Sequence, residues 1–139
     1  MKILHKEIAV KTKGETDIIN ITSNVEDLLE ESGLSNGSIL LFVRGSTGSL
    51  TTIEYEPNLV NDMKEAFERL IPKEMEYAHT RTWGDFNGHS HVRASLLGPS
   101  LQVPFINKKL QLGTWQQIVL IDFDTSPRHR DILAQFTGE

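Results

Sequence analysis

The chain has 139 residues, a formal charge of −5 with histidine neutral, 38% hydrophobic and 24% charged residues, the balance of a single folded domain with its own core. Its longest apolar run, Ile39 to Val43, is far short of the roughly 20 residues of a membrane span, and no signal-peptide core opens the chain, so a cytoplasmic protein with no membrane partner is expected. The lack of cysteine excludes disulfides, thiolate metal sites and cysteine nucleophiles, and the acidic balance argues against a nucleic-acid partner.

Alternating apolar residues at Ile3, Ile8 and Val10, then Ile19 and Ile21, predict two strands joined as a hairpin through the polar Lys11 to Thr16 segment. Ser23 followed by Glu26 is a capping box for a short helix carrying Val25, Leu28 and Leu29 and ending at Gly33. Ser38 to Val43 reads as a buried strand, and Leu50 to Glu56 as another after the Gly45 to Gly48 turn. Leu59, Met63, Phe67, Leu70 and Ile71, following Pro57, predict an amphipathic helix closed by Pro72. Tyr77 to Asn87 is irregular, and strands are expected at His89 to Leu96, Leu101 to Ile106, Gln117 to Phe123 and Arg130 to Phe136. Two helices among about eight short strands predict an α+β domain built on a mainly antiparallel sandwich or barrel, with residues 1–139 as one unit.

Chemistry concentrates in Trp83 to Ser95. As a strand, His89 to Leu96 would put His89, His91, Arg93 and Ser95 on one face, the two imidazoles about 6–7 Å apart at Cβ and able to converge on a divalent ion. His79, ten residues upstream, is the expected third ligand, and an imidazole set favours zinc over magnesium or manganese. The alternative is a row of partly exposed histidines on a solvated face. His5 and His129 read as surface residues. Arg93, Arg128 and Arg130 offer planar forks for a phosphate or carboxylate, against the plainer reading of ion pairs with the acidic residues. Ser46 and Thr47 could present hydroxyl and amide groups to an anion, although a hairpin turn accounts for the same residues. Glu54 is a candidate base, Asp122 and Asp124 a weaker candidate magnesium pair, and Trp115, beside Gln116, a stacking wall or an interface plug.

Taken together, several blocks in order resemble the YjbQ family of small proteins, described as secondary thiamine-phosphate synthases. They are Ser46-Thr47 with Glu54, Pro72 with Tyr77-Ala78-His79, Asp85 to His91, Ala94 to Ser100, Leu112 to Gln116, and Asp122-Phe123-Asp124 with Arg128 and Arg130. The resemblance implies an α+β fold assembled as a homotrimer, and a transferase joining an aminopyrimidine methyl diphosphate to a thiazole phosphate. It implies catalytic roles for Glu54, Asp85, Asn87 and Arg93, metal ligation by His79, His89 and His91, and phosphorylated-substrate binding by Ser46, Thr47, Ser95, Trp115, Gln116, Arg128 and Arg130. A metal-dependent hydrolase of a small phosphorylated metabolite, or a non-catalytic binding module for a metabolite or metal, is the alternative. One departure is plain: Gly45 stands where many members carry a histidine.

Overall fold

The computed structural model describes residues 1–139. In chain order the elements are β1 (Lys2–Lys11), β2 (Asp17–Asn20), α1 (Thr22–Ser32), β3 (Gly37–Val43), β4 (Gly48–Ile53), α2 (Pro57–Leu70), α3 (Thr80–Trp83), α4 (Gly88–Leu97), β5 (Ser100–Ile106), β6 (Lys109–Leu110), β7 (Gln117–Asp122) and β8 (His129–Gly138). All strand pairs are antiparallel. They form a five-stranded sheet in the order β1-β8-β3-β5-β6 and a three-stranded sheet in the order β2-β7-β4.

One core lies between the sheets. Ile39, Leu41, Val103, Phe105, Ile132 and Phe136 of the large sheet meet Leu50, Ile118 and Leu120 of the small one, while Val25 and Leu29 of α1 close one end. β7 is buried on both faces, which explains its unbroken apolar run: Ile118 and Leu120 point into this core, and Val119 and Ile121, with Phe123 just past the strand, into a second one. That second core is covered by Val60, Met63 and Phe67 of α2 and by Ala94 and Leu97 of α4. The α+β class holds, with four helices in place of two.

Three local expectations are corrected. β1 and β2 form no hairpin: β1 pairs with β8 in one sheet and β2 with β7 in the other. The connecting segment crosses between sheets through left-handed Gly14, Glu15 and Thr16, and Thr12 is held to the far loop by its amide donating to the Arg128 carbonyl. The capping box does not form either. Helix α1 begins at Thr22, and Asn20 Oδ1 accepts from the Thr22 amide and hydroxyl, leaving Ser23 inside the first turn and Glu26 beyond it. Finally, His89 to Leu96 is not a strand but most of α4, terminated at Gly98. Its buried stripe, His89, Ser90, Arg93 and Ala94, has helical spacing but is polar at three of four positions, so it carries no apolar helical signature.

Candidate functional site

Successive residues of a helix turn by about 100°, so α4 divides the face that a strand would have made common. His89 and Arg93 point inward, whereas His91 and Ser95 lie on the outer side, where the Ser95 hydroxyl donates to the His91 carbonyl at 2.8 Å. The three-histidine metal site therefore does not assemble as expected, and in the side-chain rotamers of the structure no three His, Asp or Glu groups are gathered around one metal position.

His79 and His91 do come together. His79 sits at the start of α3, and its ring packs edge-on against His91 with centroids 4.5 Å apart. Its Nε2 is buried without a hydrogen-bond partner and stands 3.7 Å from Asp85 Oδ1, beyond hydrogen-bond reach. Gly88, the first residue of α4, lets Tyr77 lie directly against the helix backbone, where an added Cβ would collide with the Tyr77 side chain. Tyr77 in turn donates to the Pro72 carbonyl at 2.5 Å, and burial raises its phenol pKa.

Inward-facing His89 is nearly fully buried, with Nδ1 unpartnered and Tyr77 6.2 Å away between ring centroids. Burial, reinforced by the charge of Arg93, lowers its pKa and keeps it neutral near pH 7. Arg93 is not available to a substrate. Its Nε and Nη2 both donate to the Ile71 carbonyl (3.0 and 2.7 Å), Nη1 donates to Thr16 Oγ1 at 3.1 Å, and Nη2 also reaches Glu68 at 2.9 Å. The guanidinium thus fastens α4 to the end of α2 and to the crossover after β1. Hydrogen bonds from the Lys73 amide and from Arg93 lower the pKa of Glu68.

A second polar cluster fills the Asp122 end of the small sheet. Arg130 grips Asp122 through Nε and Nη2, both at 2.9 Å, and Nη2 also donates to Thr47 Oγ1 at 2.6 Å. The Thr47 hydroxyl donates to Asp124 Oδ2 at 3.0 Å, Asn87 Nδ2 to Asp124 Oδ1 at 3.3 Å, and Thr12 Oγ1 to Asp122 Oδ2 at 2.5 Å. Burial alone would push both carboxyls up. For Asp122, bonds from Arg130, Thr12 and the Asp124 amide reverse this, and for Asp124 bonds from the Thr125 amide, Asn87 and Thr47 do so, holding both below the ordinary range. These carboxylates are satisfied within the fold, which leaves the expected magnesium pair without free oxygens, and Thr47 and Arg130 are likewise occupied. Only exposed Ser46 and half-exposed Arg128, bonded to Asp124 at 2.9 Å, face outward here.

Glu54 and Trp115 stand apart from both clusters. They line a cavity of about 360 Å³ with Asn20 and Tyr55 at the Gln117 end of β7. Five residue steps separate this end from Asp122, about 17 Å along a strand. Gln116 is spent locally, accepting from the Gly113 amide at 3.0 Å and donating to Thr52 Oγ1 at 3.1 Å. The sequence reading missed Ser49, whose buried hydroxyl donates to the Ala94 carbonyl and ties β4 to α4, and Thr12 and Thr16, which anchor the two clusters. Small hydroxyl residues beside strand ends carry no pattern that singles them out.

The fold and its histidine pair define a small α+β protein of two antiparallel sheets, with a polar site set on two short helices. A family profile, UPF0047 protein YjbQ-like, matches residues 6–139, and the chain belongs to that family. It is 37% identical to a UPF0047 protein of Methanothermobacter thermautotrophicus over 139 residues, covering 100% of this chain and 95% of the relative. It is 35% identical to the UPF0047 protein YjbQ of Salmonella typhimurium over 123 residues, covering 86% and 87%. A crystal structure of a YbjQ-like protein of unknown function from Sulfolobus solfataricus superposes with TM-score 0.94 at 32% identity, covering 99% of each chain.

These relatives are proteins of unknown function and carry no link to thiamine-phosphate synthesis, which overturns the expected transferase. The geometry agrees, since Arg93, Arg130 and Thr47 are consumed by internal bonds and Glu54 and Trp115 lie at the opposite end of the sheet. The hydrolase and binding-module alternatives gain no support from the same relatives. No helix is long and apolar enough to cross a membrane.

Proposed function

We propose that the α3–α4 corner binds a divalent metal ion, zinc before magnesium or manganese, through His79 and His91 with Asp85 as the third ligand. The observation that carries this reading is the buried, unpartnered Nε2 of His79, 3.7 Å from Asp85 Oδ1 and beside the His91 ring. That separation is too long for a hydrogen bond but close to the roughly 3.4 Å between two donors that each lie about 2.0–2.1 Å from a tetrahedral zinc. The His91 side chain, half-buried and free of hydrogen bonds, closes the set by turning about its own torsions. Imidazole and carboxylate donors suit zinc, which when bound acts as a Lewis acid.

The test is a zinc titration of chelator-stripped protein in competition with a chromophoric chelator. Wild type is expected to take up one equivalent, with His79→Ala and His91→Ala each losing most of the affinity and Asp85→Asn a smaller part. Equal zinc uptake by wild type and the double histidine variant would overturn the reading.

We also infer that copies of the chain associate, as the homotrimer implied by the resemblance, through the outer face of the large sheet. Support comes from Leu40 and Phe42, 38% and 42% exposed, which stand opposite Gln135 and Leu133 in the register of β3 and β8, with Ile3 exposed on β1. Monomer mass in sedimentation for wild type at micromolar concentration would exclude it. A trimer that falls apart in Leu40→Glu would support it.

A further inference from the structure

At the Gln117 end of the molecule, away from the histidine pair, a cavity of about 730 Å³ opens between α1 and the β5–β6 turn. Its two walls differ in charge. Helix α1 contributes Glu26, Asp27 and Glu30, and the facing wall contributes Lys108 and Lys109, with Leu29 and Leu110 between them. None of these five charged groups takes part in an ion pair or a side-chain hydrogen bond, although opposite charges line one cavity. All five are exposed and carry their charge to the rim of the cavity with no partner within the fold.

We propose that this cavity binds a zwitterionic, amino-acid-derived small molecule of about di- to tripeptide size. The ammonium group lies toward Glu26 and Glu30, the carboxylate toward Lys108 and Lys109, and an apolar side chain on Leu29 and Leu110. The cavity falls in the range typical of small-ligand sites, about 300–1,000 Å³. A simple cation would leave two lysines facing empty space, and a simple anion would meet three carboxylates. Only a ligand with both charges, separated by a short apolar stretch, matches the two walls together. The cavity shares no residue with the proposed metal ligands, so each reading stands or falls alone.

The probe is the tripeptide Ala-Leu-Ala, compared with its N-acetylated and C-amidated forms in NMR titrations of isotopically labelled protein. Saturable shifts are expected over Glu26 to Gly33 and Lys108 to Gly113, with each blocked peptide bound about tenfold more weakly because one charge-assisted contact is gone. Glu26→Gln with Glu30→Gln should erase the penalty for acetylation while leaving that for amidation, and Lys108→Gln with Lys109→Gln the reverse. All four positions are exposed, so the variants keep the fold. Blocked and free peptides binding alike, or no saturable shift at about 10 mM, overturns the proposal; the latter corresponds to an affinity weaker than about 3 kcal/mol.

Discussion

Arg130 and Asp122 meet fork to fork across the two sheets, one side chain from β8 of the large sheet and the other from β7 of the small one, with both bonds at 2.9 Å. The pair is almost fully buried, and Thr47 and Thr12 satisfy part of its remaining capacity. A guanidinium in this position clamps the end of the sandwich and is not presented to a ligand.

Removing one partner leaves the other charge buried and alone. Arg130→Met and Asp122→Leu are each expected to lower unfolding stability by about 3–5 kcal/mol, and the two combined by less than the sum. Urea unfolding of the three variants checks this, and additive losses would show that the two side chains act independently.

Acid should loosen the same end of the molecule. Asp122 and Asp124 have folded-state pKa values held below the value of about 3.9 expected in an unfolded chain. Their contribution is therefore fully present above about pH 4 and is lost as the pH falls through their lower folded values. The urea midpoint should decline steeply below about pH 4, with a shallower decline in Asp124→Asn; equal slopes in the two proteins would remove Asp124 from the account.

Gly88→Ala tests whether the histidine pair depends on its backing. The new methyl group would displace Tyr77, and with it His79 two residues on, while α4 itself gains a better helix former. Zinc affinity should fall several-fold with far-ultraviolet dichroism unchanged. Affinity equal to wild type would show that His79 is positioned without Tyr77.

Restoring the histidine that the resemblance expects at position 45 should cost stability. Gly45 has φ +108°, a conformation that L side chains rarely adopt, and its Cβ would lie 2.7 Å from Arg130 Nη1. Gly45→His is expected to destabilise the protein by about 1–3 kcal/mol through backbone strain, with further loss from crowding Arg130. A urea midpoint unchanged from wild type would contradict this reading.

Much of the fold was legible because β-branched alternation and glycine or proline boundaries report directly on local structure. β3, β5, β7 and α2 fell close to their expected places, and Gly33 ended α1. Pairing was not legible. Ile3 to Val10 and Ile19 to Ile21 look like neighbours in sequence, yet the left-handed turn at residues 14–16 sends them to different sheets. The site was half legible for a related reason. His-x-His-x-Arg-x-Ser imitates the period of a strand, and only Ala94 to Leu97 followed by Gly98 hinted at a helix. His79 and His91 were identified and do adjoin, whereas His89 and Arg93 serve the interior, a distinction that requires knowing which way the helix faces.

The positions of β7 and β8 bear on how the protein is made. Each is an inner strand of its sheet, β7 between β2 and β4, and β8 between β1 and β3, yet they occupy residues 117–122 and 129–138 at the C-terminal end. β1, β2 and β4 have no sheet partner until the chain reaches β7 and β8, and β3 has only β5. Both sheets are therefore closed by pairings between strands far apart in sequence, β1 with β8 and β2 with β7, a topology that makes folding slow compared with a domain of local contacts.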